Sequence, residues 1–285
     1  MKLYINSLFV GLVSFVWASI YWLGDANMWQ VEKLTSLDLP KPWVYRQLVP
    51  ELARLLSLTG LRIDYALALV VTLSGVAFYL SLRKLYFYYY PESSKGEIYV
   101  VGSVFVGMLV FGYNRLPYDL TTAFLMMLGL YYILTVQNWK YLIVFVFACL
   151  NRETSFLLIL VYVVVLYYRK YGSYWWVTAC QIYIYGLITY CLRLIFQYNP
   201  GSSLWVEPWQ NLVRYANHPL QTIIYAMVLA VVLLRVFRNW NSKFYSLRLA
   251  FVVIAPILFV MFMVCGQAFE VRVFWEVYPL VVLLI

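Results

Sequence analysis

Charge is scarce in this chain. Lys, Arg, Asp and Glu make up only 12% of its 285 residues, about half the usual share of a globular protein, and this argues against a soluble domain. A single histidine, His218, cannot build a metal site alone. It lies in ANHPL, where Asn217 can cap and Pro219 can open a helix. The four cysteines, Cys149, Cys180, Cys191 and Cys265, fall in apolar runs and never take the CxxC spacing of a metal site, so packing is their expected role. No stretch alternates with the period of a membrane β-barrel strand. Internal repeats, long linkers and a matched pair of broken spans, the pointer to an inverted-repeat transporter, are all missing.

Apolar runs fill the space that charge leaves. With 65% apolar residues and a mean hydropathy of +0.78, the sequence predicts an all-α, polytopic transmembrane helical bundle. Its runs approach the ~20 residues that cross a bilayer as helix. They lie near residues 3–23, 65–82, 98–113, 120–136, 141–150, 155–168, 173–194, 219–236, 249–265 and 274–285, or about nine to ten membrane segments in one domain. Tyr and Trp, 28 and 11 in number, flank many of them as interfacial belts do. The N-terminal run is too long for a signal peptide and has no A-x-A site, so it reads as a retained first span. The chain ends inside VVLLI, as one cut within its last helix or closing there would.

The net charge of +9 raises nucleic acid as a partner, but its distribution points to membrane orientation. With a cytoplasmic N-terminus and a break at Asn151–Thr154, one face collects Lys2, Arg83, Lys84, Lys95, Lys140, Arg169, Lys170, Arg235, Arg238, Lys243 and Arg248 against Glu92 and Glu97. The other face is then neutral. Merging 141–168 into one span would scatter these cations, so the positive-inside bias favours a hairpin of two short segments. Broken backbone at membrane depth is tolerated where it is buried in protein or lines a wet cavity.

Two longer polar intervals face outward, residues 24–64 and 195–218. In the first, VYRQLVPELARLLSLTG sets Val44, Leu48, Val49, Leu52, Leu55 and Leu56 opposite Arg46, Glu51 and Arg54, as in a helix lying along the interface. Ionisable groups near membrane depth are costly and default to functional hypotheses. The carboxylates Asp25, Glu153 and Glu270 are candidate catalytic residues. Arg46, Arg152 and Arg272, with Asp119, are candidate substrate-binding residues, because an arginine fork matches phosphate. Each has a plainer reading: Asp119 in a helix first turn, Asn151 as N-cap of a helix carrying Glu153, and Arg272 pairing with Glu276 at i,i+4.

On GDANMW after the first span, VYRQLVPELARLL, NRETSFLL and FEVRVFWEVYPL, the chain resembles the GT-C superfamily of integral-membrane glycosyltransferases. That resemblance implies a polyprenyl- or dolichyl-phosphate sugar as donor lipid. It also implies transfer on the non-cytoplasmic face, with Asp25 as base or metal contact and Arg152, Arg272 and Arg46 on the donor phosphate. Where the family often has two adjacent first-loop acids, Asp25 is followed by Ala26, and Glu32 stands seven positions on. Accordingly no cofactor is expected and no metal ligand is assigned. The expectation is a membrane enzyme with a lipid-linked sugar and no nucleic-acid partner; a lipid-linked glycan polymerase or ligase, a transporter, and a non-enzymatic assembly subunit stay open as alternatives.

Overall fold

The computed structural model describes residues 33, 36–93, 96–110, 116–172, 174–202, 206, 208–265 and 271–285. Asp25 and Glu270, and the first predicted span, lie outside the described residues. Arg272 lies in a described backbone segment, with its side chain outside the description. The described chain is helical, and its one β-bridge joins Lys41 to Gly201.

Eleven described helices follow in order: α1 Leu48–Ser57, α2 Ile63–Tyr89, α3 Gly96–Val110, α4 Asp119–Leu134, α5 Asn138–Asn151, α6 Phe156–Tyr168, α7 Tyr174–Ile195, α8 Pro208–Asn217, α9 Pro219–Phe237, α10 Tyr245–Cys265 and α11 Tyr278–Leu284. Of these, α2, α7, α9 and α10 are long and apolar enough to cross a membrane by length and composition, and α4 and α5 are shorter apolar helices. Only 6% of the most apolar window of α9 is buried within the protein. Such a surface needs an apolar solvent, since large exposed apolar patches are rare on soluble proteins.

The core is organised around α2, α4, α5, α6 and α10. Ser74 on α2 shares a 2.7 Å hydrogen bond with Thr121 on α4, a polar link between apolar helices. Gly129 brings α4 against Leu158 of α6, where an added Cβ would stand 3.1 Å from the leucine. The segment 141–168 is a hairpin of two antiparallel helices. Tyr141 of α5 donates to the Leu158 carbonyl oxygen at 3.2 Å and stacks on Tyr162, whose hydroxyl donates to Asn138 at 3.0 Å. The break comes where Arg152 turns extended, φ −160° and ψ 144°, followed by a 3-10 turn at Glu153–Ser155. α5 has 14 residues, about 21 Å of rise; three of the four residues it adds to the 141–150 run precede Tyr141, so the break falls within one residue of its expected place.

Several local expectations change. Asn151 ends α5 instead of capping α6, and its amide donates to Thr122 Oγ1 at 2.8 Å and to the Tyr118 carbonyl at 3.3 Å. The residue that precedes Pro219 at the start of α9 is His218, because α8 runs through Asn217. The second polar interval contains α8, a helix the turn chemistry at NPGSS did not announce. On α1, Leu48, Val49 and Ala53 are buried against the protein while Leu52 and Leu55 are exposed. Its apolar residues are thus shared between the protein and the outside.

Candidate functional site

The site is built where four chain segments meet at one side of the bundle. Arg46 lies just before α1, held there because the Gln47 N–H donates to the Leu150 carbonyl at the end of α5, 2.9 Å away. Tyr118 and Asp119 open α4. The break after α5 supplies Arg152, Glu153 and Thr154, and the 3-10 turn Val271–Glu276 supplies Glu276. A polar residue at a helix end is anchored by backbone that cannot slide, so these side chains meet with little freedom.

The inner part is a buried ion cluster. Arg152 Nη1 stands 3.4 Å from Glu276 Oε1 and 3.7 Å from Asp119 Oδ1. The Arg152 side chain is 8% exposed and that of Glu276 is 0% exposed. Thr154 donates its hydroxyl to Glu276 Oε1 at 2.5 Å. Asp119 also accepts the Leu116 N–H at 3.1 Å through Oδ2, so it serves the turn before α4 and the arginine together. Two carboxylates around one guanidinium leave the cluster acidic when both are ionised. Beside it, Asn151, Arg152, Thr154 and Glu276 border a cavity of about 10 Å³, room for about one water.

The outer part is accessible. Glu153 Oε2 lies 3.5 Å from Arg46 Nε, and its side chain is 37% exposed against 11% for Arg46. The Arg46 guanidinium packs over the Tyr118 ring at 4.5 Å and donates to the Tyr118 hydroxyl. Burial acts to lower the Arg46 pKa, but Tyr118, Glu153 and Asp119 outweigh it and hold the group above its ordinary value. Arg46 is therefore a fixed cation. Tyr185 of α7 donates to the Glu153 carbonyl oxygen at 3.2 Å, which ties the 3-10 turn to the bundle.

Two loops hold Arg46 in place. The Lys41 N–H donates to the Pro200 carbonyl at 2.8 Å, Lys41 Nζ to Gln197 O at 2.9 Å, and Asn199 Nδ2 to Leu37 O and Leu39 O at 2.7 and 3.0 Å. Val44, Tyr45 and Phe196 form a small apolar cluster beneath them.

Of the residues singled out in the sequence, Arg46, Asp119, Arg152 and Glu153 come together. Asp25 and Glu270 fall outside the described residues, as does the Arg272 side chain. Sequence reasoning missed Glu276, Tyr118 and Thr154 as members. The spacing Arg272-x-x-x-Glu276 suggested a local pair, which the described residues do not test, and Glu276 lies beside Arg152. The available signal was a lone carboxylate inside an apolar segment, which needs a partner from elsewhere. No group of three metal-ligating side chains occurs among the described residues. Compared with protein-family models, curated proteins and solved structures, the chain matches none.

Proposed function

We propose that the chain is a membrane glycosyltransferase that moves a sugar from a polyprenyl-phosphate carrier to an acceptor on the non-cytoplasmic face. In this reading the nine to ten apolar segments form one membrane domain with the N-terminus cytoplasmic. The α5–α6 hairpin then enters from the basic face and turns at the site, and α1 lies along the opposite interface. The observation that carries the proposal is the carboxylate of Glu153, on a side chain 37% exposed, 3.5 Å from the fixed Arg46 cation and beside a buried ion cluster. That pair supplies the two groups the chemistry needs.

Glu153 takes the proton of the acceptor hydroxyl as its oxygen attacks the anomeric carbon. The bond between that carbon and the phosphate oxygen breaks, and the bonding pair leaves with the polyprenyl phosphate. Arg46 stabilises the charge arriving on that phosphate. Asp25 and Glu270 are the further carboxylates assigned to this face and Arg272 a further phosphate ligand. Arg152, already held by Asp119 and Glu276, sets the frame on which Glu153 and Thr154 stand.

The test is transfer from defined polyprenyl-phosphate hexoses by the full chain in proteoliposomes. Glu153→Gln should lower the rate by about 10²–10⁴, the usual worth of a general base. Glu97→Gln, which removes an acid held by Arg83 and Tyr79 away from the site, should leave the rate unchanged. Full activity in Glu153→Gln would remove the assignment. Failure of the unaltered chain to transfer from any of these donors would remove the function itself.

A further inference from the structure

A second pocket lies at the other end of the bundle. The Arg169 guanidinium at the end of α6 donates to the Leu134 carbonyl at 2.5 Å. Leu134 closes the helix that Asp119 opens, so the two regions are about 22 Å apart at 1.5 Å per residue. Tyr88, Tyr89, Arg169, Phe244, Tyr245 and Ser246 line a cavity of about 500 Å³ here, within the range of small-ligand sites. Tyr89 and Ser246 share a 2.8 Å hydrogen bond, and the Tyr89 ring packs on Phe244 at 4.6 Å.

Positive charge gathers around this pocket. Lys84 sits over the Tyr131 ring at 4.3 Å, and Tyr131 meets the pocket residue Tyr88 edge-on. Arg248 lies over Tyr245 at 5.4 Å, and its buried Nε has no hydrogen-bond partner among the described residues. Among the described residues no carboxylate pairs with Lys84, Arg169 or Arg248. Arg169 spends one of its five donors on the end of α4, a contact that explains its position but leaves the rest of the fork for a ligand. A helix-end cation needs no cavity beside it; a phosphate site does.

An apolar track leads away from the pocket. Leu249 lines it, and Val252, Phe259 and Val260, three, ten and eleven residues further along α10 and so on one side of it, are exposed, as an acyl chain lying on the helix would require. The geometry points to a binding site for a phosphate ester in which Arg169 grips the phosphate, the aromatic ring walls enclose the head group and the α10 track receives the lipid chain. The site belongs to the leaflet at the basic end, where anionic lipids gather against Lys and Arg. It is independent of the proposed transfer reaction.

The test uses native mass spectrometry of the full chain released from nanodiscs of phosphatidylglycerol and phosphatidylcholine, with inorganic phosphate as a soluble competitor in a parallel arm. The unaltered chain should retain a phosphatidylglycerol. Arg169→Gln should lower that retention about tenfold or more, as loss of a charged hydrogen bond does, and Leu249→Trp, which keeps every cation but fills the pocket, should do the same. Arg238→Gln, a basic-end change at a residue that does not line the pocket, should retain the lipid. Inorganic phosphate that displaces the lipid in the unaltered chain identifies the same phosphate grip with a soluble source; phosphate without effect identifies the head group as the source. Equal retention in Arg169→Gln, Leu249→Trp and the unaltered chain would overturn the proposal, as would equal loss in Arg238→Gln.

Discussion

At the scale of single residues, Arg152 is the hinge of the ion cluster. Two carboxylates face it from different parts of the chain, at 3.4 and 3.7 Å, and Thr154 orients one of them. Removing the cation leaves two acids buried without it, which costs about 3–5 kcal/mol in comparable buried pairs. Arg152→Met should therefore lower the thermal unfolding midpoint clearly in detergent. The triple variant Arg152→Met/Asp119→Asn/Glu276→Gln should recover much of the loss, because the remaining groups are neutral. An unchanged midpoint in Arg152→Met alone would mean that the ions do not hold this end together. Arg46 is used differently: tied to Tyr118 and packed over its ring, it keeps a cation beside the part-exposed Glu153.

At the scale of elements, the site depends on two outer loops that grip each other. Gly201 has φ +95°, and a Cβ there would lie 2.7 Å from the Lys41 carbonyl oxygen. That left-handed backbone and close approach suit glycine alone. Gly201→Val should strain the contact by about 1–3 kcal/mol. Hydrogen exchange at the Lys41 amide, which donates to Pro200 O, should accelerate by about five- to 150-fold, the equivalent opening. Unaltered protection would show that the first loop is held elsewhere. The α5–α6 break is the other structural device. Charge distribution anticipated it from the positive-inside bias, and the antiparallel contacts of Tyr141 and Tyr162 give it its form.

At the scale of the whole molecule, the bundle has two chemically different ends. Around the site, arginines meet acids; among the described residues no carboxylate pairs with Arg169, Lys84 or Arg248 themselves. On a cysteine-free background, Thr59→Cys beside α1 and Asn239→Cys between α9 and α10, both exposed positions, should react with an impermeant maleimide from opposite sides of sealed vesicles. Reaction from one side only would contradict the orientation. Hydropathy and periodicity were enough to locate most described helices, because a span must bury its own backbone hydrogen bonds in a continuous apolar run. Charge marked the break, since lysine and arginine are costly to move across a bilayer. Arg46, Asp119, Arg152 and Glu153 were legible as ionisable groups at run ends. Their mutual pairing was not, because contacts among residues more than 30 positions apart leave no local period. Glu276 joins Arg152 through the packing of the Val271–Glu276 turn on α4, a contact no sequence spacing announces. The apolar runs by themselves determined a helical chain with helices long and apolar enough to cross a membrane; tertiary packing alone decided which charges touch, since the electrostatic partner of a buried ion is chosen by distance in space.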